Sequence, residues 1–351
     1  MNKKVALIAG GNGIVGRNLS RYLSGSDDWE VIVTSKTPLK YDTKAQYVSL
    51  DLSDSEAVKK QKELLKNVSH VFFAAYTERQ NPYEQVEANQ ALIENLILGL
   101  EAIQAPLEHV VFIQGGKAYG AHLGIYKTPA KETDPRSITP NFYYNQEDFL
   151  RSESQNKNWS WTAIRPDIVI GYTIGNPMNL SNLIAVYATL CKEEGLPLRF
   201  PGSPKAYKVL VNVTGTDVLN QGLEWAATNE NTKNEIFNIT NGDIFRWYQA
   251  FEKIADFFDM EVAGPQTFSL QEYMPGKTAL WNGIVEKYGL QKNSLNNLVQ
   301  WGFGDFIFNV EYDAILDVNK ARRFGFHKMQ TDSIEYIINT FQTLKDKKII
   351  P

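Results

Sequence analysis

Residues Val5–Gly16, VALIAGGNGIVG, decide the fold of this 351-residue chain. A short apolar run leads directly into Gly10, Gly13 and Gly16, and the segment behind them, RNLSRYLSG, carries helical periodicity. The run reads as a buried strand and the segment as a helix. Glycines at this spacing permit a tight strand-to-helix turn. They also let a pyrophosphate approach the backbone of Ile14 and Val15 at the helix N-terminus. The spacing is weak evidence alone; between a strand and a helix near the start of the chain it predicts a dinucleotide site.

The rest of the first half extends that reading. Apolar runs at 31–35, 47–51, 70–75, 109–114 and 161–171 alternate with helical patterns at 15–24, 54–66, 83–103 and 142–154. Such βαβ alternation predicts a Rossmann-type, doubly wound parallel sheet with its ligand at the carboxyl edge. Beyond Gly171 the pattern changes to a mixture of apolar helix, a proline-rich stretch and a strand–turn–helix unit. Two strongly amphipathic helices are expected at 245–260 and 331–346, and 262–330 reads as loop-rich and aromatic. The sequence thus predicts a cofactor-binding core over 1–171. Segment 172–351 is expected to return some elements to the core and to form a smaller substrate lobe from about 180–215 and 262–330.

Composition narrows the function. Hydrophobic residues at 43% and charged residues at 22% fit a globular domain, and a net charge of −4 gives no basic footprint for nucleic acid. Cys191 is the only cysteine, which excludes an internal disulfide and a multi-cysteine metal site, and it reads as a buried inert thiol. The four histidines show no metal-ligand spacing. No apolar stretch is long enough to cross a bilayer. A cytoplasmic protein with a small-molecule partner, no membrane partner and a possible homodimeric state is expected.

Strand ends supply the candidate cofactor contacts. The second strand ends in Thr34, Ser35 and Lys36, where a hydroxyl and a cation suit a 2′-phosphate better than a ribose diol, favouring NADP over NAD. Asp51 and Leu52 end the third strand, and the small Ala74 and Ala75, followed by Tyr76, end the fourth. Gln114 ends the fifth. Pro166 forces an extended path after the sixth, toward Val169.

The helix opening with NFYYNQEDFL (141–150) brings Tyr143 and Tyr144 to this edge. Enzymes of the extended short-chain dehydrogenase class carry a lysine four residues after a catalytic tyrosine, but Glu147 and Asp148 stand there. A carboxylate raises a phenol's pKa instead of lowering it. A lysine is available at the end of the fifth strand, Lys117 in IQGGKAYG.

These stretches, with SHVFFAAY, AIRPDIVIG, MNLSNLIAVYATLCKEEGLPLRFPGS, WGFGDFIFN and the terminal KIIP, resemble the progesterone 5β-reductase/iridoid synthase-like (PRISE) family of atypical extended short-chain dehydrogenases/reductases. The resemblance implies an NADPH-dependent reductase of C=C bonds in enones or enals. It casts Lys117 and Tyr143 as the catalytic pair and Phe303 as a pocket residue. Tyr76, His122, Tyr144 and Met178 are counted with that pocket. Plant members carry tryptophan at the position of Tyr76, and Gly-Pro-Phe where this chain has Gly120, Ala121 and His122, so their substrates do not carry over. Two other readings stay open on the residues: a nucleotide-sugar epimerase or dehydratase, and a catalytically silent NADP-binding sensor.

Overall fold

A computed structural model describes residues 3–351. The chain divides into two units. The first joins residues up to Pro166 with Thr216–Ile239 and Asp317–Lys328; the second holds Asp167–Gly215, Thr240–Leu316 and Met329–Pro351. The first continuous stretch of that unit runs to Pro166, where the sequence places the boundary at 171.

The first unit is built on seven strands, β1 Lys4–Ala9, β2 Trp29–Ser35, β3 Gln46–Ser49, β4 His70–Phe73, β5 His109–Ile113, β6 Ser160–Pro166 and β11 Glu235–Ile239. They lie in the order β3-β2-β1-β4-β5-β6-β11, every neighbouring pair parallel. β1 and β6 are buried almost end to end, which is why they read as continuous apolar runs rather than alternating ones.

From β1 the chain moves one way to β2, and from β4 it moves the other way to β5. Right-handed crossovers then set α1 (Ile14–Leu23) and α4 (Pro82–Ala102) on opposite faces, and make the carboxyl edge between β1 and β4 the switch point where ligands bind. α4 packs with α5 (Phe142–Glu153) over a core that includes Leu7, Val71, Phe112, Trp161, Leu96 and Leu150. Full burial of each such side chain contributes about 1.5–3 kcal/mol. α1 packs against α7 (Thr216–Thr228), and α13 (Asn319–Arg323) sits against β11.

Two expected elements are divided. The helix expected over 54–66 is two single turns, α2 Ala57–Lys60 and α3 Lys62–Leu65, interrupted at Gln61 (φ −108°, ψ 23°). The run 161–171 is not one strand. It stops at Pro166, where proline removes a ladder donor, and resumes as β7 (Ile168–Ile170), the start of the second unit.

In that second unit β7 pairs with β10 (Val213–Gly215), β8 (Leu198–Arg199) with β13 (Val262–Ala263), and β9 (Leu210–Val211) with β12 (Phe245–Arg246). Its helices are α6 Leu180–Glu193, α8 Trp247–Phe258, α9 Leu270–Tyr273, α10 Thr278–Tyr288, α11 Leu295–Leu298, α12 Trp301–Phe308 and α14 Ser333–Asp346. The segment read as loop-rich is thus largely helical. Its helices are short and close on buried aromatics, among them Trp281, Trp301 and Phe308, so no long periodic stripe marks them. Phe200 gathers Phe251 and Phe308 at ring distances of 5.2 and 5.0 Å.

Candidate active site

The β1–α1 turn has the geometry its glycines predict. Gly10 takes φ +97°, and a Cβ there would stand 2.6 Å from the carbonyl oxygen of Ala74. A Cβ on Gly16 would stand 2.4 Å from the carbonyl oxygen of Gly10, so only glycine lets α1 settle on the turn. Gly13 caps α1 in an extended conformation and supplies no side-chain cap. Such a helix start against side-chain-free backbone fits a dinucleotide's pyrophosphate, which Ile14, Val15 and Gly16 would hold.

Asn12, which sequence reasoning passed over, staples this turn to the β2 loop. Its Nδ2 donates to the carbonyl oxygens of Thr37 (3.2 Å) and Pro38 (3.1 Å) and to Ser35 Oγ (3.3 Å). Arg17 is a second missed residue, its guanidinium 4.7 Å from the Tyr41 ring, whose hydroxyl donates to the Gly11 carbonyl. An asparagine among glycines was the available signal.

Lys36, the candidate 2′-phosphate residue, meets Asp51 from the end of the third strand. Lys36 Nζ lies 2.8 Å from Asp51, with the two side chains 70% and 40% exposed. Hydrogen bonds from Lys36 and then Ser53 draw the Asp51 carboxyl down to about 2. Ser35 Oγ donates to the Thr37 carbonyl. Leu52 is buried, and its carbonyl accepts from Asn95 (2.8 Å).

Across the switch point, β5 runs out into Gln114, Gly115 and a 3-10 turn over Gly116–Tyr119. Lys117, exposed on that turn, accepts at its carbonyl from Asn141 Nδ2 (2.8 Å). Asn141 also caps α5, taking the Tyr143 amide at 3.1 Å. One asparagine therefore ties the lysine's backbone to the first turn that carries the tyrosine. The Tyr143 hydroxyl lies over Gly115, where a Cβ would stand 3.5 Å from it. Burial pushes its phenol up to about 12, and the Arg165 guanidinium acts in the opposite sense. Tyr76, Lys117, His122, Asn141 and Phe142 line one cavity of about 160 Å³, with Glu78 and Arg79 on its wall. His122 buries an Nδ1 that has no hydrogen-bond partner, and burial together with Lys117 lowers its pKa. Tyr76 is half-exposed and donates to Glu78.

Several expected site residues have other work. Tyr144 is buried; its hydroxyl donates to the Ala118 carbonyl (2.8 Å) and accepts from the Ser137 amide (2.9 Å), which makes it a strut of the loop and not a pocket wall. The Gln114 side chain, expected at the cofactor, is buried and bonds to Arg165, Glu147 and the Tyr143 carbonyl. Glu147 turns into a cluster of arginines instead of toward the phenol. Val169, Met178 and Phe303 belong to the second unit: Val169 pairs with Thr214, Met178 is exposed, and Phe303 packs at the margin of that unit's core. Cys191 is buried, and burial raises its thiol to about 11, so it is inert.

A glycine turn at the start of α1, at the switch point of a parallel sheet, defines a Rossmann-type dinucleotide-binding fold. The model of the PRISE-like Rossmann-fold domain matches residues 44–351, and the chain belongs to the PRISE family. It is 33% identical to the 3-oxo-Δ(4,5)-steroid 5-β-reductase of Arabidopsis thaliana, over 99% of this chain and 94% of that protein. Against an (S)-8-oxocitronellyl enol synthase of Nepeta cataria the identity is 32%, covering 99% and 92%. A short chain dehydrogenase of Penicillium aethiopicum is also 32% identical, covering 99% of both chains. Among solved structures, UDP-glucose 4-epimerase of Thermotoga maritima superposes with a TM-score of 0.67 at 17% identity, over 97% of this chain and 99% of that one. The Thermus thermophilus UDP-glucose 4-epimerase complex with NAD gives 0.66 at 18%, over 96% and 99%. The epimerases share the fold; the relatives in sequence are reductases, synthases and dehydrogenases.

Proposed function

We propose that the chain is an NADPH-dependent reductase of C=C bonds conjugated to a carbonyl, acting on enones or enals. The observation that carries this reading is the arrangement at Tyr143. Asn141 ties the tyrosine's helix turn to Lys117, while the position that holds a lysine in alcohol-oxidising relatives of this fold holds Glu147, drawn into an arginine cluster. An alcohol dehydrogenase or epimerase needs a tyrosine ready to act as a base. A phenol pushed up to about 12 keeps its proton at neutral pH and acts as a donor. Relatives named for reducing a 3-oxo-Δ(4,5)-steroid and for synthesising an enol point the same way.

When bound, NADPH supplies the hydride that adds to the β-carbon of the unsaturated carbonyl. Tyr143 donates a hydrogen bond to the carbonyl oxygen and stabilises the enolate charge as it develops. Lys117 adds positive charge to the cavity that Asn141 and Phe142 line just ahead of Tyr143. Ile14, Val15 and Gly16 hold the pyrophosphate through backbone N–H groups. Lys36 and Ser35 would hold the adenosine 2′-phosphate, the basis for NADPH over NADH.

The test is NADPH consumption with 2-cyclohexen-1-one, methyl vinyl ketone, a citral-type enal and progesterone, wild type beside Tyr143→Phe. Saturated carbonyl products are expected, with turnover falling about a hundredfold or more in the variant and NADPH affinity unchanged. Allylic alcohol products, or equal turnover by the variant, would refute the assignment.

A further inference from the structure

Behind Tyr143, at the joint of β5, β6 and α5, lies a charged cluster that the reaction above does not use. Arg165 and Glu147 each leave only 5% of their side chain exposed, and their nearest atoms are 3.4 Å apart. The same carboxylate takes Arg136 at 2.9 Å and Arg151 at 3.2 Å. Arg136 is shared with Asp148 at 2.8 Å. Three guanidinium groups against two carboxylates leave one positive charge in excess. Arg165 Nε donates to Gln114 Oε1 at 2.6 Å, and Gln114 Nε2 donates to the backbone carbonyl of Tyr143 at 3.0 Å. On its other side the Arg165 guanidinium lies 4.9 Å from the centre of the Tyr119 ring.

Burying an ion group is expensive, and an apolar cluster of the same volume holds a fold as well or better. Such a network suits a place where direction and charge matter. A buried charge is also felt over a longer distance than one in water. Among the described residues, the groups that act on the Tyr143 phenol are Arg165 from β6 and Tyr76 from beyond β4; Glu147, on its own helix, turns into the arginine cluster, and Lys117 lies on the turn after β5. Of these, Arg165 is the cation that draws the phenol's proton affinity down against burial.

We propose that Arg165 is the positioning residue of the Tyr143 donor: through Gln114 it fixes the first turn of α5 against the ends of β5 and β6, and its charge favours the tyrosine as a donor to the substrate carbonyl. The inference rests on the enone-reductase reading for its kinetic consequence, but its electrostatic half is read without any substrate. Glu147 and its two outer arginines hold Arg165 in place. The departure from lysine at residue 147 thereby acquires a purpose: besides Lys117, a buried cation that assists the tyrosine comes from β6.

The experiment compares wild type with Arg165→Met, Arg165→Lys and Gln114→Met. Tyr143 is replaced by 3,5-difluorotyrosine, which is more acidic than tyrosine, so that its ionisation is followed by ¹⁹F NMR below the pH of alkaline unfolding. Arg165→Met is expected to move that midpoint upward and to lower kcat about tenfold or more. KM for NADPH should stay within about twofold, and Arg165→Lys should restore the midpoint but only part of kcat. Gln114→Met keeps the charge and removes the relay, so its midpoint should follow wild type while kcat falls; it also serves if Arg165→Met fails to fold. A folded Arg165→Met protein with the wild-type midpoint and wild-type kcat overturns the proposal. Wild-type protein inert toward every enone counts against the reductase reading instead, and the ¹⁹F midpoint still decides whether Arg165 acts on the tyrosine.

Discussion

At the scale of single residues, the ion pair between Lys36 and Asp51 bears on cofactor choice. Both side chains are substantially exposed, and a pair of that kind contributes about 0–1 kcal/mol. Lys36 therefore leaves Asp51 readily for a 2′-phosphate, which offers a doubly charged acceptor. Removing one charge-assisted bond of about 1.5–3 kcal/mol should lower the preference for NADPH over NADH about tenfold to a hundredfold in Lys36→Ala. Asp51→Asn removes the competitor, and its KM for NADPH should fall by a small factor, roughly twofold to fivefold. Paired KM measurements with the two nucleotides check both; an unaltered ratio in Lys36→Ala removes Lys36 from phosphate recognition.

Among elements, α5 shows how a helix cap can carry function. Asn141 satisfies the Tyr143 amide and holds the Lys117 carbonyl. Replacing such a cap with alanine costs about 1 kcal/mol. Asp332 caps α14 by the same chemistry, accepting from the Glu335 amide at 2.8 Å. Asn141→Ala and Asp332→Ala should therefore lower Tm by similar amounts, while only Asn141→Ala reduces turnover. Equal turnover in the two would show that the cap does nothing beyond stabilising its helix.

The same elements show what a sequence reveals. GGNGIVG was legible because its demands are local: Gly10 answers to the backbone just beyond β4 and Gly16 to the backbone of Gly10. The apolar runs announced the seven-strand sheet up to β6 because buried parallel strands are apolar on both faces. The role of Glu147 was hidden. Arg151 stands at i+4 on the same helix and was readable, but Arg136 and Arg165 come from other segments, and no spacing along the chain announces that they converge on it. Gln114 misled for the same reason, since a strand-end amide looks alike whether it faces a ligand or an arginine. The break at Pro166 and the short aromatic helices of 270–308 were obscured because neither produces a long periodic pattern.

Across the whole molecule, two buried histidines tie stability to pH. His70 and His109 are paired in register on β4 and β5 and are 3% and 4% exposed. His109 bonds to Ser160 and Thr162, and His70 to Ser69. Burial, chiefly, lowers His70 to about 4 and His109 to about 3 from the ordinary 6.5. Below pH 6.5 the unfolded chain protonates both while the folded chain does not, so folding loses stability as pH falls and gains nothing above that point. Each imidazole contributes about 1.4 kcal/mol of loss per pH unit once the pH is well below 6.5, flattening only near its folded value. Urea unfolding at pH 7.5, 6.0 and 5.0 should show this decline, and His109→Gln should show a shallower one. A wild-type stability that is flat from pH 7.5 to 5.0 would contradict it.

The first unit is also discontinuous in the chain. β6 lies between β5 and β11, but β11 is encoded some seventy residues after β6 ends, and α13 later still. On the ribosome, six strands emerge and pair while the outer rim of β6 has nothing to bond to, and synthesis at roughly 5–20 residues per second prolongs that interval by several seconds. An unpaired, apolar rim of this kind is an adhesive surface. The nascent chain is therefore most exposed to aggregation between the emergence of Pro166 and that of Ile239, and a chaperone that shields it matters most in that window.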